Sequence, residues 1–180
     1  EPVNARISPT IHSGITRTLL PYPGSLTVLP ETFERYVAEV AASLADAGFR
    51  RIVFVNGHGG NTEALKNVAV RLFCDKQAYS MVIDWWTLCD EEVRQVYGHA
   101  GGHAGTDETA LVQTDHPEQV QRQEYKKEMA FLAKPGLAAM PFPGSIILYK
   151  KGEGLPDFGP AKAGQLMTAV CTKVQQTILD

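Results

Sequence analysis

The feature that most constrains the fold is an apolar run that ends in a glycine-rich turn and leads into a helical pattern. Residues 51–55 read Arg-Ile-Val-Phe-Val, residues 56–61 read Asn-Gly-His-Gly-Gly-Asn, and residues 62–73 follow with helical periodicity. A buried strand that turns directly into a helix is typical of open α/β folds, in which ligands bind at the carboxyl ends of the strands. His58, the histidine of this turn, is therefore a candidate functional residue, and the alternative is that its ring simply packs within a tight turn.

The rest of the chain repeats this alternation of strands and helices. The pattern predicts a helix over 31–47 that ends at Gly48, further helices over 62–73, 90–97, 106–114 and 160–179, and strands over 26–29, 51–55, 79–83 and 145–149. Such an order predicts an α/β fold with three layers, αβα, in which helices cover both faces of a mostly parallel central sheet. No internal repeat or linker interrupts it, so we predict a single domain over residues 1–180.

A second glycine-rich passage, residues 98–110, combines histidines with carboxylates. It contains His103, Asp107 and Glu108 within six residues. Imidazole and carboxylate groups are the ligands of zinc and manganese sites, and neighbouring glycines let them approach without backbone clashes. Thr106 is expected to cap a helix that begins near Asp107. For either acid alone, the alternative is that it complements the positive end of that helix.

Together, the turn at 56–61 and the passage at 103–109, His-Ala-Gly-x-x-Glu-Thr, resemble the creatininase (creatinine amidohydrolase) family. The first matches the Asn-Gly-His turn of the family in the form with two glycines after the histidine. The second matches the family's His-(Gly/Ala)-Gly-x-x-Glu-Thr-Ser segment, except that Ala110 stands at the serine position. Weaker similarities lie at residues 22–25, Tyr-Pro-Gly-Ser, and 152–156, Gly-Glu-Gly-Leu-Pro.

The resemblance implies a creatininase-like fold and a metal-dependent amidohydrolase. Members of the family hydrolyse a C–N bond of a cyclic amide, formamide or small peptide with a metal-activated water, using two divalent ions, zinc or manganese. By this resemblance His58 would bind the first metal, Glu108 the second, and His103 would lie beside the substrate and transfer protons. The resemblance also implies a small-molecule amide substrate and a homo-oligomer, which is a hexamer in the family.

Two departures from the family pattern bear on the function. The family's early segment, Glu-x-His-Gly-Pro-His-Leu-Pro-x-x-Thr-Asp, has no counterpart here, so we expect the N-terminal strand and loop that carry the remaining ligands to lie outside these 180 residues. Gly60 stands where creatininase itself carries an additional carboxylate ligand, which argues against creatinine as the substrate. The alternative function is a catalytically silent structural or binding subunit of the same fold.

Several neighbours of these motifs are candidates for substrate binding or for support of the metal ligands. Asn56 and Asn61 are expected to tie the turn together through backbone hydrogen bonds, and Gly59 and Gly60 to leave the His58 ring uncrowded. After the strand at 79–83 come Asp84, Trp85 and Trp86. Asp84 is expected to orient a histidine or to cap a turn, and the tryptophans to stack on a substrate or to pack in a core or subunit interface.

Composition excludes several other classes of protein. The net charge is −3 and the basic residues form only short pairs, so nucleic acid is not an expected partner. No apolar stretch approaches the ~18 residues that indicate a membrane span. The chain has three widely spaced cysteines, which predicts reduced thiols and a cytoplasmic protein. Cys74 and Cys171 lie in apolar helical patterns and are expected in the core.

Overall fold

The computed structural model describes residues 5–180, and the chain divides into two compact units. The N-terminal unit runs through Trp85 and also includes Ile178–Asp180, whereas the C-terminal unit is Trp86–Thr177. The helices and strands are α1 (Pro30–Asp46), β1 (Arg51–Asn56), α2 (Thr62–Lys76), β2 (Tyr79–Asp84), α3 (Trp85–Leu88), α4 (Asp90–Tyr97), β3 (Gly102–His103), α5 (Thr106–Asp115), β4 (Ala130–Leu132), β5 (Ile146–Leu148) and α6 (Pro160–Leu179).

In the N-terminal unit, the hydrophobic pattern of α1 sets how the helix packs. Proline at its first position suits the fixed φ of a helix start, and Glu31 complements the positive end of the helix. Four residues spaced at i, i+4 are buried in one core with residues of α2 and the sheet: Phe33, Val37, Ala41 and Ala45. Gly48 has φ +99° and donates its N–H to the Ala45 carbonyl, so the helix ends where the sequence predicts.

Strands β1 and β2 pair in parallel, with Asn56 opposite Asp84 at their carboxyl ends. Ile52 belongs to the core that includes residues of α1 and α2, and the partly buried Phe54 and Val82 pack against that core. The opposite face is not covered in full, because Val55 and Tyr79 remain exposed. This register sets two polar side chains next to each other where the turn to α2 begins.

In the C-terminal unit, a small mixed sheet positions the second glycine-rich passage. Strand β5 lies in the middle, antiparallel to β3 and parallel to β4, and its three residues are buried. Strand β3 places His103 opposite Ile147 and leads within three residues into α5. The α/β class and the parallel pairing of β1 with β2 confirm the predicted fold class. The described strands lie in two sheets.

Three predictions from the sequence are wrong. Residues 26–29 form no strand, because the segment makes only an isolated ladder-like bond, from the Val28 N–H to the Gly14 carbonyl. Thr106 does not cap α5; Gly105 is the capping residue, and the Thr106 hydroxyl instead donates to the Leu155 carbonyl. Cys74 and Cys171 are exposed, whereas Cys89 is buried.

No helix among residues 5–180 combines the length and the apolar character that crossing a membrane requires.

Candidate metal and active site

The turn around His58 begins where β1 ends and is closed by side-chain hydrogen bonds. The His58 backbone N–H donates to Asn56 Oδ1 at 3.1 Å, and a single 3-10 turn, Gly59–Asn61, then leads into α2. Asn56 is buried, and its side-chain nitrogen donates to Asp84 Oδ1 at 2.7 Å and to Thr62 Oγ1 at 3.2 Å. The predicted role of Asn56 in tying the turn together therefore has a direct structural basis.

Thr62, which the sequence does not single out, completes this network. Its hydroxyl lies 3.0 Å and 3.1 Å from the two carboxylate oxygens of Asp84, and it accepts a bond from Asn56. A hydroxyl has one proton, so it donates to one of the two oxygens at a time and accepts with its lone pairs. Asp84 is thus hydrogen-bonded to the turn residues Asn56 and Thr62 and fixes the position of the turn relative to β2.

Asn61 connects the turn to the preceding loop. Its Oδ1 accepts a hydrogen bond from the Ile15 N–H at 2.9 Å, and its Nδ2 donates to Asn56 Oδ1 at 3.3 Å. A Cβ atom at Gly14 would lie 2.5 Å from Asn61 Oδ1, so the loop backbone approaches as closely as glycine allows. The loop at 14–15 is thereby held against the turn that carries His58.

His58 is half-buried, and its surroundings favour the neutral ring. Burial lowers the pKa of His58 below its usual value, and a hydrogen bond to the Ile15 backbone only partly opposes this. Gly60 faces the ring: a Cβ atom there would lie 2.0 Å from the Ile15 carbonyl oxygen and 3.0 Å from His58 Nε2. With this backbone no side chain fits at position 60. A carboxylate ligand at that position is therefore excluded. A neutral imidazole is the form that binds metals.

In the C-terminal unit, Asp107 is a structural residue of the second passage. It is 4% exposed, and its Oδ1 accepts the Gly102 N–H at 2.9 Å. A Cβ atom at Gly101 would lie 2.2 Å from the Asp107 carboxylate, which explains the glycine. Burial raises the pKa of Asp107, while hydrogen bonds from backbone N–H groups act in the opposite direction. The backbone therefore encloses this side chain on more than one side.

Glu108 and His103 lie next to each other in this unit. The Nδ1 atom of His103 lies 3.6 Å from Glu108 Oε2, and the two side chains are only 18% and 24% exposed. Glu108 Oε2 also accepts the N–H of Ala104, which has φ +49°, a left-handed conformation unusual for a residue with a Cβ atom. Burial raises the pKa of Glu108 to about 7, and the charge of Asp107 adds to this, while the Ala104 N–H opposes it.

The turn at 152–156 supports the start of α5. The Gly154 carbonyl accepts the Thr106 N–H at 3.0 Å, and the Leu155 carbonyl accepts the Thr106 hydroxyl. Cβ atoms at Gly105 and Gly154 would lie 2.4 Å from the Gly154 carbonyl oxygen and 2.7 Å from the Gly101 carbonyl oxygen, respectively. The turn at 152–156 therefore holds the first residue of the helix that carries Glu108.

The remaining candidate residues, Trp85, Trp86 and Gly59, differ in their burial. Trp85 is buried and begins α3, Trp86 is half-buried, and Gly59 lies exposed at the start of the 3-10 turn. Trp85 and Trp86 belong to different units. The burial of Trp85 agrees with the packing alternative for that residue.

The donor types present fit a divalent zinc or manganese ion. His58 offers a neutral imidazole, and Glu108 offers a carboxylate next to the His103 imidazole. Within residues 5–180, no group of three or more histidine, cysteine, aspartate or glutamate side chains has an arrangement that could hold a metal ion.

Comparison with known proteins identifies relatives of this chain. The model of the family described as Creatininase: Creatinine amidohydrolase matches residues 1–172. The chain is 31% identical over 116 residues to the mycofactocin precursor peptide peptidase of Mycobacterium ulcerans (strain Agy99), in a match that takes in 63% of this chain and 41% of that protein. The chain thus spans less than half the length of this relative.

Solved structures of creatininases share the fold. A crystal structure of creatinine amidohydrolase (creatininase) superimposes with a TM-score of 0.64 at 18% identity, over 87% of this chain and 66% of that chain. A creatininase described as the Mn form gives 0.63 at 19% identity, over the same shares of 87% and 66%. A mutant creatininase of the Zn-Zn type gives 0.62 at 18% identity, again over 87% and 66%. At this level of identity the similarity establishes the fold.

Proposed function

This chain belongs to the creatininase family, and from that premise we propose that it is a metal-dependent amidohydrolase. Its substrate is a small amide, and the bond that it cleaves is the C–N bond of a cyclic amide, a formamide or a small peptide. The observation that carries the proposal is the half-buried pair of His103 and Glu108, 3.6 Å apart, at the start of α5. The peptidase activity named for the mycobacterial relative and the amidohydrolase activity named for the solved structures both break C–N bonds.

We propose His58 and Glu108 as metal ligands. Both are half-buried side chains of suitable donor type; the His58 N–H donates to Asn56 Oδ1, and Glu108 Oε2 accepts the Ala104 N–H. The chemistry that a divalent ion supplies when bound is a lower pKa of coordinated water, from about 15.7 toward 7, and polarisation of the carbonyl under attack. The names of solved family members point to zinc or manganese as that ion.

His103 is proposed as the proton-transfer residue. A histidine suits this role because its ordinary pKa of about 6.5 lies near working pH. In the overall reaction, a bond forms between the water oxygen and the carbonyl carbon, and the C–N bond breaks. A proton that the water loses is taken up by the His103 ring and passed to the leaving nitrogen, so that amide and water give a carboxylic acid and an amine.

The second candidate is a catalytically silent structural or binding subunit. It is favoured by the turn network, in which Asn56, Thr62 and Asp84 are joined by hydrogen bonds that stabilise the fold whether or not a metal binds. In that case the two glycine-rich motifs would serve only to form turns. The two candidates differ in a single measurable property, which is turnover.

We also propose a cytoplasmic homo-oligomer without nucleic acid partners. The support is family membership for the oligomer and the three free cysteines for a reducing compartment. Light scattering on the purified chain measures the number of subunits directly, and a monomer at micromolar concentration would contradict this part of the proposal.

The activity test uses a panel of amides with Mn²⁺ or Zn²⁺ and a parallel series with a chelator. A dipeptide amide, a formamide and creatinine represent the three bond types; release of the amine is measured for the first two, and formation of the ring-opened product for creatinine. His103→Ala is expected to lower kcat about 100-fold or more. His116→Ala, which removes an exposed histidine flanked by Asp115 and Glu118, is the matched control and should leave the rate unchanged. No turnover by the folded, metal-loaded protein would favour the silent subunit, and equal rates for the two variants would contradict the proposed role of His103.

A further inference from the structure

The C-terminal unit contains a cavity of about 410 Å³ with Glu108 in its wall. This volume lies within the range of small-molecule sites in proteins. Its lining is mostly apolar and comes from α5, β5 and the segments on either side of them. The apolar side chains that form most of it are Val112, Val120, Tyr125, Met129, Ile146 and Phe158.

The residues that line the cavity differ in their burial and packing. Ile146 is buried in the middle strand of the sheet, and the rings of Tyr125 and Phe158 pack with centroids 5.5 Å apart at 59°. Val112 and Met129 are 43% and 36% exposed, although both line the cavity. An apolar ligand in the cavity would therefore remove apolar surface from water, which is favourable in proportion to the area covered.

The polar groups of the cavity come from α5 and from the segment that follows it. Glu108 and Thr109 belong to the first turns of α5, and Gln121 and Glu124 to the segment that follows. Among the residues that line the cavity there are two carboxylates and no lysine or arginine. The guanidinium of Arg122 lies over the Phe158 ring, 5.5 Å from its centroid, but Arg122 is not among the lining residues. A carboxylate or phosphate in the cavity would meet the carboxylates of Glu108 and Glu124 in the walls, so an uncharged group is the better ligand.

We propose that this cavity is the pocket that selects the substrate, and that it takes an uncharged apolar or aromatic group attached to the amide. The group fills the space between Val112, Met129 and Phe158, and the amide lies at the Glu108 end. The assignment of this ligand as a substrate rests on the proposed function, whereas the binding itself depends only on the cavity. A small polar ring without an apolar substituent would leave these walls exposed.

Binding of matched amides tests the pocket without any need for turnover. N-acetylphenylalaninamide and N-acetylglycinamide are both uncharged and differ only in the benzyl group. We expect the phenylalanine compound to bind about 10- to 100-fold more tightly to the wild-type chain, because its ring is buried. Titration followed by ligand NMR, in the presence of chelator and again with diamagnetic Zn²⁺, gives the two dissociation constants.

A pair of substitutions locates the binding. Val112→Asp places a charge in the cavity wall, and Val70→Asp places the same charge on α2, where Val70 is 64% exposed. Val112→Asp should weaken binding of the phenylalanine amide at least tenfold, and Val70→Asp should not change it. Met129→Gln is the second cavity variant, used if Val112→Asp does not fold by circular dichroism, and the same loss is expected.

The outcomes separate this proposal from the proposed function. Equal affinity for the two amides, or binding of the phenylalanine amide that is unaffected by the folded cavity variant, overturns the pocket whether or not the chain hydrolyses amides. Selective binding that is lost in the cavity variant supports the pocket, and absence of hydrolysis by the same sample would then count against the amidohydrolase alone.

Discussion

In the N-terminal unit His58 is held by a network of side chains, whereas in the C-terminal unit Glu108 is held by the backbone. Around His58, the bonds run between the side chains of Asn56, Thr62 and Asp84. Around Glu108, Oε2 accepts the backbone N–H of Ala104, and the neighbouring Asp107 accepts the backbone N–H of Gly102 among closely packed glycines. We therefore expect the turn around His58 to be disturbed when a side chain is removed. The backbone around Glu108 should be disturbed when a side chain is added at a glycine.

The largest effect is expected where the side-chain network is most buried. Asn56→Asp would place a carboxylate 2.7 Å from Asp84 and remove the amide donor. We expect the free energy of unfolding to fall by about 2–4 kcal/mol, because the group is buried and the new neighbours have like charge.

Asn67→Asp is the matched control for this change. Asn67 Nδ2 donates to Glu34 at 3.0 Å, so the same substitution again brings two carboxylates together, but at an exposed position. A loss within about 0.5 kcal/mol is expected there. Equal losses for the two variants in urea denaturation would show that burial of the network is not what matters.

The next effect tests close approach of the backbone at His58. Gly60→Ala requires the Ile15 carbonyl or the His58 ring to move, because the new Cβ atom would lie 2.0 Å from the Ile15 oxygen. We expect a loss of about 2–3 kcal/mol in stability, together with weaker metal binding. Gly57→Ala in the same turn meets nothing within 4 Å and should be close to neutral. Similar metal affinity in the two variants would contradict the proposed contact with the ring.

A smaller loss is expected for the corresponding change in the C-terminal unit. Gly101→Ala would bring a Cβ atom 2.2 Å from the Asp107 carboxylate. A side chain can shift more easily than a carbonyl of the main chain, so we expect a loss of about 1–2 kcal/mol. Thermal unfolding measures it. If Gly101→Ala leaves the stability unchanged, the backbone at Gly101 does not restrict the position of the Asp107 carboxylate.

The smallest effect concerns a single hydroxyl. Thr62→Val keeps the shape of the side chain but removes the donor to Asp84 and the acceptor for Asn56, which we expect to cost about 1 kcal/mol. Thr172→Val, on α6, removes an exposed hydroxyl that donates to the Thr168 carbonyl and should change stability by less than about 0.5 kcal/mol. If the two changes cost the same, the hydroxyl contributes nothing to the network.

Local patterns predicted the helices well. The bounds of α4 and α6 agree with the sequence prediction, since their starts, ends and apolar stripes depend on neighbouring residues. The region from Pro117 to Leu132 was not predicted, because its short 3-10 turns carry no strong periodicity, and β4 is defined by its pairing with β5.

Details that depend on distant contacts could not be predicted from local sequence. The partnership of Asn56 with Asp84 follows from the parallel register of β1 and β2, and that of Thr106 with Leu155 from a contact 49 residues away along the chain. Cys74 and Cys171 were placed in the core because their neighbours are apolar, yet both are exposed. The metal ligands, the catalytic histidine and the substrate remain predictions.

Metal content tests the central claim most directly. The chain is purified without chelator, and bound zinc and manganese are measured by mass spectrometry beside His58→Ala, Glu108→Ala and the control Glu118→Ala, which changes an exposed glutamate. The account predicts near-stoichiometric metal in the wild-type chain and the control, and a clear loss in His58→Ala and Glu108→Ala. A folded wild-type chain without metal, or metal content unchanged by both substitutions, would contradict it.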